Sequence, residues 1–212
     1  MSSHEEILIA YFLCLSADFA QADSTNLKKL DRQNKAHGWQ AVGRLDIANS
    51  GFCSGRLIAP DLVLVTGHCV YNRTTGVAYT PKDFVFRAGL REGKSAAERR
   101  IVGVASHDGY APMGPLSAKN VSHDVALLKL SSPIPFSEMD PFALHTDVIK
   151  NRPVSVMSCE RTDALSRQRE CQMMDRQDNV LIFDCDVTYG SSGVPVLSHL
   201  NGRGAWSLLS LG

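Results

Sequence analysis

The sequence lacks several features that would assign it to a function class at once. Its 22 basic and 22 acidic residues give a formal net charge of zero, which offers no electrostatic basis for binding nucleic acid or an anionic membrane. Its six cysteines and seven histidines form no CxxC pair and no HExxH motif, so no metal site is expected. There is no clear internal repeat and no low-complexity tract. We therefore expect a protein that needs no metal or other cofactor and has no nucleic-acid partner.

Long apolar runs are also scarce. The longest, Ile7 to Ala20, has the length of a secretory signal, and Ala20-Gln21-Ala22 fits an A-x-A cleavage site. Positive charge usually precedes such a run, but here His4 to Glu6 stand before it, so a retained membrane anchor is the alternative. The run is too short for a comfortable spanning helix. We expect a signal peptide at 1–22, a secreted or periplasmic protein, and no stable membrane association after cleavage.

The 212 residues, 44% of them hydrophobic, can bury a substantial core. Residues 23–38 are polar and are interpreted as a leader segment. From Trp39 onward, short apolar runs alternate with Gly, Pro, Asn and Asp, which favours antiparallel strands. Prolines 133 and 135 mark a linker, because proline cannot pair within a central strand. The predicted strands are 41–47, 53–58, 62–66, 83–88, 100–105 and 125–130 before the linker, and 154–158, 171–174, 179–183, 193–197 and 206–211 after it.

The segment DVTYGSSGVPV, residues 186–196, places a serine between glycines just before a β-type run. A serine hydroxyl becomes a good nucleophile when a base takes its proton and nearby N–H groups receive the charge that develops on the substrate oxygen. With Ser192 as the nucleophile, the amides of Gly190 and Ser192 could form this oxyanion hole. Ser191 and Ser198 are the competing nucleophiles. A purely structural turn is the alternative interpretation of the segment.

Three motifs resemble those of the chymotrypsin-like serine proteases. Residues 190–195, GSSGVP, resemble that family's GDSGGP motif, and residues 65–69, VTGHC, resemble its TAAHC motif. Residues 122–128, SHDVALL, resemble its DIALL stretch. The motifs occur in the family's order, and the similarity runs from about Trp39 to Gly212, in the style of bacterial members similar to glutamyl endopeptidase. The resemblance implies a catalytic triad of His68, Asp124 and Ser192.

The resemblance gives each of these residues a role. A histidine titrates near neutral pH, so His68 can take the serine proton and later deliver it to the leaving amine. Asp124 accepts a hydrogen bond from the imidazole, fixes its tautomer and stabilises the imidazolium. His123 is the competing base, and Asp108 and Asp140 are the competing acids.

The cysteines fit an oxidising compartment. Cys53 and Cys69 are sixteen residues apart and resemble the family's histidine-loop disulfide. Cys171 and Cys185 resemble the bridge that precedes the serine in some bacterial members. Cys159 is then left over, and we interpret it as a buried free thiol.

The resemblance also implies the fold. We expect an all-β protein of two packed, six-stranded antiparallel β-barrels with the active site between them. The first barrel, residues 39–133, would carry His68 and Asp124, and residues 134–212 would form the linker and the second barrel with Ser192. The segment Leu208 to Gly212 resembles the family's IVSWG segment. Because family members continue beyond that segment, we expect the second barrel to be truncated at its C-terminus.

Substrate-binding residues follow from the same resemblance. Asp186 lies six residues before Ser192, an offset that resembles that of trypsin's specificity aspartate and would favour Lys or Arg. The alternative is that Asp186 is only a turn residue or a solvent-facing acid. Thr188 is the other candidate for a polar residue that lines the pocket. Ser210 and Gly212 lie in the segment whose backbone would pair with an extended substrate.

The predicted function is a secreted serine endopeptidase that cleaves protein or peptide substrates through an acyl-enzyme. The alternative is a protease-like binding or vestigial protein with a truncated, unproductive cleft. Ser191 stands where trypsin-type enzymes carry an aspartate, so activation through a salt bridge from that acid to a new N-terminus is not expected.

Overall fold

The described part of the chain consists mainly of β-strands. A computed structural model describes residues 28–29, 39–48, 50–144, 153–159, 165–186, 191–198 and 204–208; the predicted signal peptide lies outside these ranges. Short helical segments lie at Gly67–Val70, Pro81–Asp83 and α1 (Ala118–Ser122). The strands are, in chain order, β1 (Lys28–Lys29), β2 (Val42–Ile47), β3 (Gly51–Ala59), β4 (Leu62–Val65), β5 (Phe84–Ala88), β6 (Ala97–Ser106), β7 (Ala126–Leu130), β8 (Ala143–Leu144), β9 (Val154–Cys159), β10 (Leu165–Cys171), β11 (Met173–Gln177), β12 (Val180–Phe183), β13 (Pro195–Ser198) and β14 (Gly204–Leu208).

The first half forms a closed antiparallel barrel in the order β2-β3-β4-β7-β6-β5. Strands β5 and β7 alternate between buried and less buried residues, as successive side chains of a strand point to opposite faces. In β5 the buried positions are Phe84, Phe86 and Ala88, and in β7 they are Ala126, Leu128 and Leu130. The six apolar runs predicted before the linker correspond to these six strands.

The second half forms a six-stranded sheet in the order β1-β10-β9-β13-β14-β8 and a separate β11-β12 hairpin. Strand β10 was not predicted, because its central SRQRE run has no apolar alternation. It becomes a strand by pairing with β9, and it buries Ser166 and Gln168. The sequence prediction also missed the short strands β1 and β8. The last predicted strand, 206–211, overlaps β14 at residues 206–208, and its residues 209–211 lie outside the described residues.

One hydrophobic cluster spans both halves, and a second cluster lies within the second half. Met157, Cys159 and Leu197 of the second half belong to the same buried cluster as the barrel interior. The linker also joins them, because the Phe142 amide donates to the Leu57 carbonyl at 2.9 Å. The strand content of the described residues confirms the all-β prediction.

Both predicted disulfides are present. One joins Cys53 to Cys69 and the other joins Cys171 to Cys185. Cys159 is a buried free cysteine, as predicted. Within the described ranges, no helix has both the length and the apolar character needed to cross a bilayer.

Candidate active site

The antiparallel pairing of β4 and β7 brings His68 and Asp124 together. The register places Val65, the last residue of β4, opposite Ala126, the first residue of β7. The chain that leaves β4 and the chain that enters β7 therefore emerge at the same end of the barrel. His68 lies three residues after Val65, in the 3₁₀ turn that follows β4, and Asp124 lies two residues before Ala126.

Asp124 holds His68 through two hydrogen bonds. The backbone N–H of His68 donates to Asp124 Oδ1 at 2.6 Å, and His68 Nδ1 lies 2.7 Å from Asp124 Oδ2. A carboxylate can only accept, so Nδ1 carries the hydrogen and the neutral ring keeps Nε2 as an acceptor. The side chains of His68 and Asp124 are only 10% and 4% exposed, so little water competes for this contact. The arrangement leaves Nε2 as the ring nitrogen that can accept a proton.

Gly67 makes this close approach possible. A Cβ atom at Gly67 would lie 3.0 Å from Asp124 Oδ1 and 3.2 Å from Tyr110 Cδ1, tighter than most packed carbon contacts. The adjacent Cys69 is bonded to Cys53 on β3, which anchors the turn from its other side. The position of His68 is thus fixed by the barrel, by Asp124 and by the Cys53–Cys69 disulfide.

Ser192 is attached to the same strand that carries Cys53. The Ser54 amide donates to the Ser192 carbonyl oxygen at 2.8 Å, and Ser192 is 6% exposed. Gly193 has φ +85°, and a Cβ atom there would overlap the Ser54 carbonyl oxygen. The Ser192 segment therefore packs directly on β3 at Ser54, next to Cys53, whose disulfide holds the His68 turn.

The hydroxyl of Ser192 is oriented toward a residue that the sequence analysis did not assign. Arg73 Nη2 lies 3.4 Å from Ser192 Oγ. Thr66 Oγ1 lies 3.5 Å from His68 Nε2. Within the described residues, no hydrogen bond joins His68 to the Ser192 hydroxyl.

We expect Gly193→Ala to lower the free energy of unfolding by roughly 3 kcal/mol, the sum of a left-handed backbone cost and a steric overlap. Gly93→Ala is the matched control, since Gly93 has φ +75° with nothing within 4 Å of the position that a Cβ atom would take and should lose only about 1–2 kcal/mol. Urea unfolding of both variants gives the comparison. Equal losses would contradict the close packing of Gly193 on Ser54.

The competing candidates lie elsewhere. His123 Nδ1 is 3.1 Å from the Gly109 carbonyl oxygen, and its ring stacks on His107 with centroids 4.5 Å apart. Asp108 and Asp140 are both exposed. His68 has its acid partner in Asp124 instead.

The two competing serines differ from Ser192 in position. Ser191 is buried, and its carbonyl accepts from the Val194 amide at 3.1 Å within a turn. Ser198 ends β13, where its backbone pairs with Val154 and Gly204. The Ser192 hydroxyl, by contrast, contacts Arg73, which follows the His68 turn in the chain.

Asp186 is held by the unpredicted strand β10. Its amide donates to Gln168 Oε1 at 2.6 Å, and Gln168 Nε2 lies 3.5 Å from Asp186 Oδ2. The neighbouring Cys185 is fixed to Cys171 by the second disulfide. The remaining residues assigned to the oxyanion hole and the substrate site lie outside the described residues: Gly190, Thr188, Ser210 and Gly212.

Tyr110 is a further site residue that sequence reasoning missed. Its ring lies 5.8 Å from that of Tyr71 between centroids. Burial, and then the negative charge of Asp124, raise the pKa of Tyr110 to about 12, although the positive charge of Arg73 opposes the shift. Tyr110 therefore remains a neutral phenol at neutral pH. Its only sequence signal was its position between β6 and the Asp124 motif.

Cys53, His68 and Cys69 place three potential metal ligands within 4.8 Å of one another. The two sulfurs are bonded to each other, and His68 Nδ1 contacts Asp124. The cluster is therefore occupied by covalent and hydrogen bonds and is not an open metal site.

Comparison with known proteins identifies the family. The family described as Trypsin matches residues 30–204. A trypsin of Sarcophaga bullata is 31% identical over 115 residues, a match that covers 53% of this chain and 39% of the relative. The chain thus spans less than half the length of this curated relative.

Two solved structures share the fold. A Glu endopeptidase in complex with MPD superposes with a TM-score of 0.71 at 15% identity, covering 85% of this chain and 83% of the other. A thermostable serine protease, AL20, from an extremophilic microorganism superposes with a TM-score of 0.66 at 18% identity, covering 83% and 87%. The two structures show the shared fold, and the Trypsin family match over residues 30–204 confirms the resemblance drawn from the three motifs: the chain belongs to the trypsin family of chymotrypsin-like serine proteases.

Proposed function

We propose that the protein is a serine endopeptidase that cleaves peptide bonds with a triad of His68, Asp124 and Ser192. The observation that carries this proposal is the doubly hydrogen-bonded pair of His68 and Asp124, with the Ser192 segment packed on the strand beside it. A rigid, buried acid next to an imidazole whose second nitrogen can accept a proton is the arrangement that activates a serine hydroxyl. The comparisons do not favour the alternative of a protease-like binding protein.

The chemistry divides into two proton transfers around one covalent intermediate. Ser192 Oγ attacks the peptide carbonyl while His68 Nε2 takes its proton, and the carbonyl oxygen becomes an oxyanion. The amides of Gly190 and Ser192 donate to that oxyanion. The C–N bond then breaks, and the imidazolium returns the proton to the leaving amine. Water repeats the sequence on the acyl-enzyme, which releases the acid and restores the Ser192 hydroxyl.

The proposed setting is secreted or periplasmic, with proteins or peptides as substrates. Two disulfides support an oxidising compartment. The family likewise supports peptide-bond hydrolysis as the reaction.

We also propose that Asp186 lies in the primary pocket and favours Lys or Arg before the scissile bond. Its backbone is held by Gln168, and the disulfide at Cys185 lies beside it. A carboxylate on so constrained a segment keeps its position without the substrate. Thr188 would line the same pocket, and the backbone at Ser210 and Gly212 would pair with the extended substrate.

A peptide-library cleavage profile tests the function and the pocket together. The mature protein should cut after Lys and Arg, and Asp186→Ala should lower kcat/KM for those substrates by about 10²-fold, the cost of removing one partner of a desolvated charge pair. Asp175→Ala, on the exposed β11 strand, is the control and should keep the profile. A Lys or Arg preference that survives in Asp186→Ala would contradict the pocket role, as would a preference for glutamate such as the name Glu endopeptidase implies. A complete lack of cleavage would contradict the endopeptidase function.

A further inference from the structure

Arg73 places a positive charge at the reacting hydroxyl. Its Nη2 atom is 3.4 Å from Ser192 Oγ, longer than an ordinary N–H to oxygen hydrogen bond. The guanidinium has five donors, and its residue is exposed. The weak contact with the hydroxyl therefore leaves most of its hydrogen-bonding capacity available to a substrate.

The loop that carries Arg73 is rigid. Asn72 Oδ1 accepts from the Thr74 and Thr75 amides at 2.9 and 3.0 Å. The Asn72 amide donates to the Val77 carbonyl at 2.8 Å, and the Gly76 amide donates to the Asn72 carbonyl at 2.7 Å. The loop begins two residues after Cys69, whose disulfide fixes it to β3. Because the backbone of this loop is already held by these hydrogen bonds, Arg73 loses little backbone freedom when its guanidinium binds a substrate.

The surroundings of Arg73 contain little negative charge to occupy it. Among the described residues it forms no ion pair, and the nearby acid Asp124 is already bound to His68. Tyr110, whose pKa the charge of Arg73 affects, is a neutral phenol at neutral pH. Its ring contacts that of Tyr71, whose hydroxyl lies 2.7 Å from Ser106 Oγ. An anionic group brought by the substrate would be the natural partner of this cation.

We propose that Arg73 is a specificity-determining residue that binds an acidic side chain on the amine side of the scissile bond. Arg73 lies on the first-barrel wall, five residues after the base that delivers the proton to the leaving amine, whereas the primary pocket is assigned to the second half at Asp186. We therefore infer that the first residue after the scissile bond lies next to the loop that carries Arg73. The inference rests on the proposed endopeptidase function and extends it to a second substrate position.

The test compares peptides that differ only in one acidic side chain. Every peptide carries Lys as the residue before the scissile bond. Each peptide has either Glu or Gln at one further position, which is one of the two positions before the Lys or one of the two positions after the scissile bond. The wild type should prefer Glu over Gln on the amine side by about tenfold in kcat/KM, as expected for one charge-assisted pair at a partly solvated site. Arg73→Gln should remove that preference, Arg73→Lys should retain part of it, and Arg73→Glu should reverse it in favour of Lys at that position.

Arg100→Gln is the matched control. Arg100 is exposed on β6, near the end that pairs with Leu130 rather than with Ala126 beside the site. It lies about 20 Å along the strand from Ser106. The variant loses the same charge and should keep the full preference, which separates local recognition from net charge.

Each outcome decides the proposal. A preference for Glu that persists in Arg73→Glu, or that occurs only on the acyl side, would overturn it. Equal loss of turnover on Glu peptides, Gln peptides and a small activated ester in Arg73→Gln would also overturn it, because the residue would then act on the hydroxyl. If the wild type cleaves neither these peptides nor any member of the peptide library, the endopeptidase function fails. Binding of the same peptides to Ser192→Ala then decides the role of Arg73, because equal affinity for Glu and Gln peptides refutes it.

Discussion

Replacing Ser192 with alanine is expected to lower kcat by about 10⁶-fold, because the nucleophile and its base act as one unit. The residual activity over water would come from the oxyanion donors and substrate binding alone. Since Ser192 is packed on β3 through its backbone, the truncation removes the hydroxyl without disturbing that contact. The loss should therefore appear in kcat with an unchanged unfolding transition.

A serine-directed phosphonate provides the independent measurement. The wild type should gain one adduct, located by mass spectrometry on the peptide that contains Ser192, and Ser192→Ala should gain none. Ser191→Ala is the control for the adjacent hydroxyl and should still be labelled at Ser192. Unchanged labelling of Ser192→Ala would refute the assignment of the nucleophile.

Asp124→Asn is expected to lower kcat by about 10⁴-fold. The carboxylate accepts from both the His68 amide and Nδ1, and an amide can satisfy only one of these donors with its oxygen. Its NH₂ group would then face Nδ1 and favour the opposite ring tautomer, in which Nε2 carries the hydrogen and can no longer accept the serine proton. Binding of substrate does not involve this nitrogen, so KM should change little.

Steady-state kinetics on one peptide substrate measure both constants. Asp108→Asn, an exposed acid on the loop before α1, is the control and should retain wild-type kcat. Thermal unfolding of both variants separates a catalytic loss from a folding loss. A folded Asp124→Asn enzyme within tenfold of the wild type would contradict the role of Asp124 as the orienting acid.

The sequence predicted the parts of the fold that depend on local pattern. The alternating runs of β5 and β7 have an apolar face that must enter a core, so their strand state could be inferred from the residues alone. Strand β10 could not be inferred, because Ser166 and Gln168 are polar residues that become buried only through pairing with β9. The strand state of β10 therefore depends on tertiary pairing that the local sequence does not specify.

The residues of the candidate site also fall into those that the sequence predicted and those that it did not. His68 and Asp124 were found because their flanking motifs resemble the family's, and the structure pairs them through the register of β4 and β7. Arg73 was missed because it lies outside the three motifs that resemble the family's. The direction of its side chain depends on the backbone of that loop, which no local pattern in the sequence specifies.

Strand β3 has a consequence for which sequence changes the protein can tolerate. Consecutive residues of one strand anchor both parts of the candidate site: Cys53 is bonded to Cys69 in the turn that carries His68, and the Ser54 amide donates to the Ser192 carbonyl oxygen. Because alternate residues face opposite sides of a strand, inserting or deleting one residue within β3 would displace both anchors in a single event. Exchanges among apolar residues of the barrel interior change only packing, so related sequences should vary in side-chain size along β3 while its length stays constant.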